Sequence, residues 1–184
     1  MSPDTCNAVL KEINMLLETD RLIVTEFTPD MAQTVHENSL DEDNRRFVPD
    51  EVFETVEDAA ETIGFLMTCY DGIEGPFVYP VIAKDGEINL GYVQLAPLDD
   101  GTWEIGYHVA KKYTGNGYAT EAVKSFLPYM AQKLSVTEVY GICLAENVAS
   151  IRVLKKCGFE EIYSGSGEYQ GETRTIFRSV WKLP

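Results

Sequence analysis

The sequence predicts an α+β domain built on one mixed sheet, and three observations carry that prediction. The hydrophobic period switches between about 3.6 and 2 along the chain. Two Asp-Gly pairs, Asp85-Gly86 and Asp100-Gly101, sit between alternating apolar runs in the middle of the chain, a strong hairpin signal. A Gly-x-Gly loop then leads straight into the best amphipathic helix pattern in the sequence. The element order that results is β α α β β β α β α β β.

Each element has a local reason. Residues 1–15 form an N-terminal extension with a short apolar stripe at Val9, Leu10 and Ile13. Leu17 to Thr25 reads as a first strand. Thr28-Pro29-Asp30 opens a helix to about Asn38, with a hydroxyl N-cap and Pro at the first helical position. Leu40 to Phe53 is polar, dense in charge and irregular. Thr55 and Asp58 have capping-box spacing, and Ala59, Ile63, Leu66, Met67 and Tyr70 continue that helix until Gly72. Phe77 to Ala83, Ile88 to Pro97 and Thr102 to Val109 are three antiparallel strands paired in chain order. Ala119 to Leu134 is the long helix, which Pro128 should kink by freeing the Lys124 carbonyl. Val139 to Leu144 is a strand, and Asn147 to Cys157 a helix stopped by Gly158. Glu160 to Tyr169 and Thr173 to Leu183 close the chain as a hairpin.

Composition narrows the function. The 184 residues predict a single domain over 1–184. With 15 Lys+Arg against 30 Asp+Glu, the formal charge of −15 repels phosphate backbones and anionic lipid. Nucleic acid and membrane are therefore not expected partners, whereas a cationic or neutral substrate is. No apolar run approaches the ~18 residues of a membrane helix, and the N-terminus lacks the basic-then-apolar order of a signal peptide. Cys6, Cys69, Cys143 and Cys157 are scattered without CxxC spacing, and His36 and His108 are the two histidines. No metal site is expected, and reduced thiols in a cytoplasmic protein are.

The chemistry is concentrated in Trp103 to Ala122, WEIGYHVAKKYTGNGYATEA. Gly115 and Gly117 allow a ligand close to the backbone, and amides at a helix N-terminus form an anion site suited to phosphate or pyrophosphate. The NTPase loop is excluded because no Lys-Ser or Lys-Thr follows the glycines. The dinucleotide fingerprint fails at Thr120, where its third Gly should stand, and at Glu138, which precedes the next strand instead of ending it.

Thr114-Gly115-Asn116-Gly117-Tyr118-Ala119 resembles the acetyl-CoA pyrophosphate loop of the GNAT superfamily of N-acetyltransferases, Q/R-x-x-G-x-G/A, except at its first position. Asn147-Val148-Ala149-Ser150 through Lys155-Lys156-Cys157-Gly158-Phe159 is similar to that family's N-x-x-[AS]…K-x-GF helix. Thr19-Asp20-Arg21-Leu22 resembles the T-x-R-L opening of its RimJ/RimL-like branch, whose founding members acetylate N-termini of ribosomal proteins. The resemblance covers about residues 17–183. It implies a largely antiparallel central sheet with helices on both faces and no metal. It also implies transfer of an acetyl group from acetyl-CoA to a primary amine, a protein N-terminus or a small molecule, by direct attack on the thioester.

By the same resemblance, Val109 and Ala110 bind the donor through backbone groups. The amides of Thr114, Gly115, Asn116, Gly117, Tyr118 and Ala119 take the pyrophosphate, and Asn147 both caps its helix and touches pantetheine. Lys155 and Lys156, with Lys111 and Lys112, either neutralise phosphates or form a solvated face. An α-amino group has a pKa of about 8 and a lysine about 10.4, so the attacking nitrogen must lose a proton. Glu104 is the candidate base, with a solvated or salt-bridged strand carboxylate as the alternative; His108 is the second candidate. The family's usual Tyr acid would fall at 154, where this chain has Leu154. Ser150 is the replacement that could donate toward the sulfur, or it merely caps the helix. The implied acceptor pocket takes Asp41, Glu42, Asp43, Asp50, Glu51 and Tyr163 to Tyr169 with Glu168, acids that suit a cationic amine or serve only solubility. Two further readings stay open, a non-catalytic acyl-CoA sensor and a homodimer formed through the N-terminal extension.

Overall fold

Short polar turns, more than long hydrophobic runs, decide where the chain reverses. The computed structural model describes residues 15–184; the apolar stripe at Val9, Leu10 and Ile13 lies outside them, and Met15 already opens a strand. Strands β1 (Met15–Glu18) and β2 (Leu22–Thr25) pair antiparallel around Thr19-Asp20-Arg21, so the segment predicted as one strand is a hairpin. A 3-10 turn at Pro29–Met31 leads into helix α1 (Ala32–Ser39), and Thr28 makes no capping bond with its side chain. The segment predicted to be irregular holds α2 (Glu42–Phe47). Asp41 caps it by accepting a bond from the Asn44 amide at 2.9 Å. Glu42 and Asp43 in its first turn and Arg45 and Arg46 in its last complement the helix dipole. Helix α3 (Val56–Cys69) carries the complete capping box between Thr55 and Asp58.

Strands β3 (Phe77–Ala83), β4 (Ile88–Pro97) and β5 (Trp103–Val109) form the antiparallel meander that the two Asp-Gly turns predict. Helix α4 (Tyr118–Leu134) runs through Pro128 without interruption. Strand β6 (Glu138–Leu144), α5 (Val148–Lys156) and the hairpin β7 (Glu160–Tyr169) and β8 (Glu172–Lys182) complete the chain. All eight strands make one sheet in the order β1-β2-β3-β4-β5-β6-β8-β7. Every adjacent pair is antiparallel except β5 with β6.

One cluster of buried residues spans the sheet. Strand β3 is buried at every position but Ile82, so both faces of the sheet are covered there, as the predicted layering requires. Helix α4 lays Ala122, Val123, Phe126, Leu127, Met130 and Ala131 onto the core. Full burial of a side chain such as Phe126 is worth about 1.5–3 kcal/mol. Tyr79 joins the layers, stacking on Tyr70 at 4.8 Å and meeting Phe126 edge-on at 5.7 Å. Among the described residues no helix is long and apolar enough to cross a membrane.

Two features of the sheet position the site. In β4 the register shifts from Val81↔Gly91 to Ile82↔Asn89, a bulge that leaves Leu90 as the extra residue. The parallel pair β5–β6 is held at Glu104↔Tyr140 alone. Beyond that point the two strands diverge, opening a gap in the sheet.

Candidate active site

Two cavities flank the gap and share a wall. The first, about 360 Å³, is lined by Tyr107, His108 and Val109 of β5, by the loop from Tyr113 to Thr120, and by the N-terminal half of α5. The second, about 380 Å³, lies on the other side of β5 and β6 and is lined by Glu104, Gly106, Ile142, Cys143, Gln94, Glu51 and Tyr169. Tyr107, Asn147 and Ser150 line both.

The loop in the first cavity is held from outside by the first hairpin. Gly115 and Gly117 have φ of +82° and +81°, a conformation that glycine adopts without strain, and Gly117 caps α4. Arg21 donates from Nη1 to the Asn116 carbonyl at 3.1 Å and from Nε to Glu121 Oε2 at 2.7 Å, with its guanidinium 4.7 Å from the centre of the Tyr118 ring. Thr19 donates to Glu121 Oε1 at 2.6 Å. The Thr and Arg of the T-x-R-L opening therefore clamp the first turn of α4. Arg21→Ala is expected to speed amide hydrogen exchange at residues 114–118. Because the pair is solvent-exposed, Tm should fall by no more than about 3 °C. Unchanged exchange would show that the loop holds itself.

Other residues singled out from sequence divide. Val109, Thr114, Gly115, Gly117, Tyr118, Ala119, Asn147 and Ser150 line the first cavity. Ala110 and Asn116 do not. The Ala110 amide donates to Leu90 O at 2.8 Å and its carbonyl accepts from the Tyr113 amide, so both its polar groups have partners within the fold. The Asn116 side chain donates back to the Tyr113 and Thr114 carbonyls. Lys156 lines the cavity, as does Arg152, which the sequence reading passed over. Lys111 also lines it and is paired with Asp43, while Lys155 lies 3.8 Å from Glu161 and Lys112 over the Tyr113 ring. Asp41 and Asp43 belong to this first cavity. Asp50, Glu51 and Glu168 belong to the second, so the acids grouped together from sequence fall on two sides. Tyr163 is exposed and donates to Ser166 O.

His108 Nε2 sits 3.7 Å from Asp41 Oδ2, and the nearby imidazole, with the Asn44 amide, holds the Asp41 carboxyl down at about 2. The histidine thus stands beside the α2 cap, on the wall of the first cavity. Among the described residues Glu104 makes no salt bridge of this kind. Burial pushes its carboxyl up to about 7, against the pull of the Ile142 amide and the Arg178 guanidinium. A carboxylate with that pKa at the edge of a cavity is suited to take a proton near neutrality.

Asn147 caps α5 by accepting from the Ser150 amide at 3.0 Å, as its position in the motif predicts. The Ser150 hydroxyl is therefore free of capping and lies 2.8 Å from Tyr107 Oη, which donates to the Ser150 carbonyl at 3.0 Å. Burial raises the Tyr107 pKa, keeping the phenol protonated. Cys143 also approaches Ser150, and burial pushes its thiol up to about 11. Tyr107 stands three positions after Glu104 on β5, so strand alternation sets it on the opposite face. Alternation does separate the two side chains, but the gap beside β5 lets α5 bring Ser150 against Tyr107.

A mixed sheet split between a parallel pair, with a glycine loop opening the helix beside the split, defines a class of acyltransferase folds, and the comparisons agree. The acetyltransferase (GNAT) domain family model matches residues 21–160, and the chain belongs to this family. Its similarity to the uncharacterized N-acetyltransferase YnaD of Bacillus subtilis is 31% identity over 78% of this chain and 82% of that one. A GNAT-family acetyltransferase from Bacillus anthracis superposes with a TM-score of 0.77 at 25% identity, over 91% of this chain and 98% of that one. RimL, the ribosomal L7/L12 α-N-protein acetyltransferase, solved with coenzyme A, shares the fold at a TM-score of 0.76 and 13% identity, over 92% and 98%. The chain is thus an enzyme, an N-acetyltransferase.

Proposed function

We propose that the protein transfers the acetyl group of acetyl-CoA to a primary amine by direct attack on the thioester, with Glu104 as base and Ser150 as donor to the departing sulfur. The observation that carries this reading is the Glu104 carboxyl, which burial holds at about 7 despite the Ile142 amide and the Arg178 guanidinium, beside the bridge between β5 and β6. The donor assignment draws support from the similar folds solved with coenzyme A and with acetyl-CoA, and from a first cavity with loop amides at one end and Val109 at the other. The amides of Thr114 to Ala119 face the pyrophosphate. Lys156 and Arg152 supply positive charge, which Thr114, standing where the family has Gln or Arg, does not.

The steps balance simply. The neutral amine nitrogen forms a bond to the thioester carbonyl carbon, and Glu104, directly or through a water, takes the proton that the nitrogen loses. The carbon–sulfur bond breaks as the amide forms. The thiolate is stabilised by a hydrogen bond from the Ser150 hydroxyl, which Tyr107 orients, and leaves as the thiolate or takes its proton from water. Leu154, where relatives carry a tyrosine, is buried, so the phenol of this site comes from β5 instead.

The test is thiol release from acetyl-CoA with a panel of amines. Turnover with at least one amine is expected. Ser150→Ala should lower kcat by about 10- to 100-fold, the worth of one hydrogen bond to a charged group, and Tyr107→Phe by a smaller factor. Because Asn147 still caps α5, the Ser150→Ala Tm should stay close to that of the wild type. No binding of acetyl-CoA, and no thiol release with any amine, would overturn the reading.

A further inference from the structure

Gln94 of β4 stands opposite Gly106 of β5, and its side chain lies across that glycine. A Cβ at 106 would come within 2.4 Å of Gln94 Nε2, 2.7 Å of its Cγ and 2.9 Å of its Cδ. Gly106 has no left-handed φ, so the backbone of β5 does not ask for glycine here. The side chain above it does. At its far end Gln94 Nε2 donates at 3.3 Å to Oε1 of Glu51, which ends a 3-10 turn, Pro49–Glu51. Burial, with Asp50 alongside, pushes the Glu51 carboxyl up to about 7. Ionised, or with its proton on Oε2, that carboxyl accepts through Oε1 in either state. The bond therefore fixes which way round the Gln94 amide lies.

The opposite end of that amide is open. Among the described residues nothing donates to Gln94 Oε1, and the atom is not sealed in the interior. Gln94, Gly106 and Glu104 all line the second cavity. Gln94 pairs with Gly106 and Ala96 with Glu104, so Gln94 and Glu104 are diagonal neighbours on one face of the sheet. Such neighbours stand about 7–8 Å apart, within reach of one another's long side chains. A single small polar group between them can bond to both. A neutral primary amine has two N–H groups and one lone pair. With one N–H on each side chain the nitrogen can no longer spin, and its substituent and lone pair take the two directions left, cavity and gap.

We infer that Gln94 Oε1 accepts the second N–H of the acceptor amine, aiming its lone pair at the thioester and selecting primary over secondary amines. This rests on the amine-acceptor reading above and adds a specificity-determining residue to it. Gln94 makes and breaks no covalent bond. Glu104 takes the proton that leaves, and the N–H held by Gln94 stays in the amide product. A secondary amine has one N–H, which the base must remove, so nothing remains for Gln94 to hold. Glu51 acts through Gln94, as the group that turns its oxygen outward.

The experiment compares primary amines that support thiol release, 1-aminobutane first, with their N-methyl counterparts at fixed acetyl-CoA. It is run on the wild type, Gln94→Ala, Gly106→Ala and the double variant. The wild type should favour the primary amine in kcat/KM, and Gln94→Ala should shrink that ratio by about three- to tenfold, the value of one hydrogen bond. Gly106→Ala should shrink it by a similar factor, because the new methyl lifts the amide off β5 without touching a titratable group. In the double variant there is no amide left to displace, so the ratio should fall no further than in Gln94→Ala alone. A merely structural role would slow both amines alike and leave the ratio where it was, while the acetyl-CoA KM reports that each variant is folded. Equal use of both amines by the wild type, a ratio that survives Gln94→Ala, or a Gly106→Ala effect that persists without the Gln94 side chain overturns this inference and leaves the acetyltransferase reading standing. No thiol release with any amine, and no acetyl-CoA binding, overturns that reading and this inference with it.

Discussion

Glu104→Gln is expected to lower kcat by about 10²- to 10⁴-fold, the usual contribution of a positioned base. The amide is nearly isosteric with the carboxyl, so the cavity keeps its shape and the acetyl-CoA KM should change little. The pH profile gives the sharper reading. A base must be ionised to act, and this carboxyl is raised to about 7, so wild-type kcat/KM should climb as pH rises through that value. The residual activity of Glu104→Gln should lack that limb, whereas Glu51→Gln should retain it. Stability runs the other way. The folded carboxyl keeps its proton up to about 7 and the unfolded one releases it near 4.5, so between those values the folded state binds more protons and loses stability as pH rises. Glutamine removes that cost, and the variant should melt no lower than the wild type at pH 8. A kcat within threefold of wild type would remove Glu104 from the mechanism.

The second large effect is expected in the backbone. Gly91→Ala should destabilise the fold by about 2–4 kcal/mol, from backbone strain and overpacking together. In thermal denaturation that is a Tm lower by roughly 5–15 °C for a domain of this size. Gly91 closes the β4 bulge at φ +147°. A Cβ there would lie 2.1 Å from the His108 carbonyl oxygen, 2.8 Å from its carbon and 3.1 Å from Val109 Cα. All three are backbone atoms, so no rotamer change relieves the contact. The same crossing lets Leu90 O receive the Ala110 amide at 2.8 Å, which turns the end of β5 toward the loop. A Tm within 2 °C of wild type would show that the bulge yields easily.

Elements with strong local chemistry could be read directly from the chain. The Asp-Gly hairpins, the α3 capping box, α4 and the Asn147 cap all follow from residues within a few positions of one another. The misses share a different cause. Helix α2 has six residues, too few for an apolar period to show, and its only announcement was Asp41 followed by two acids. The β1–β2 hairpin turns at Thr19-Asp20-Arg21 without glycine, so the turn signal was absent. In the candidate site, Glu104, Ser150, Asn147 and the glycine loop were singled out because motif spacing and strand position marked them. Tyr107 and Gln94 were not, because their importance comes from what α5 and the 3-10 turn at Glu51 bring to them. Arg21 was visible as part of a motif, while its role as a clamp on Glu121 and Asn116 depends on a contact about 100 residues away.

The single bridge between β5 and β6 has a mechanical meaning. Main-chain bonding ties β1 through β5 into one plate and β6, β7 and β8 into another, and only the Glu104↔Tyr140 register joins them. Cohesion between the plates therefore falls to side chains, above all those of α4 and α5 packed across the seam. An extended ligand that bonds to the free edge of β5 while resting on α5 becomes a rung spanning both plates. Its occupancy would stiffen the whole molecule, and the departure of product would return the seam to its looser condition, ready for the next molecule to enter.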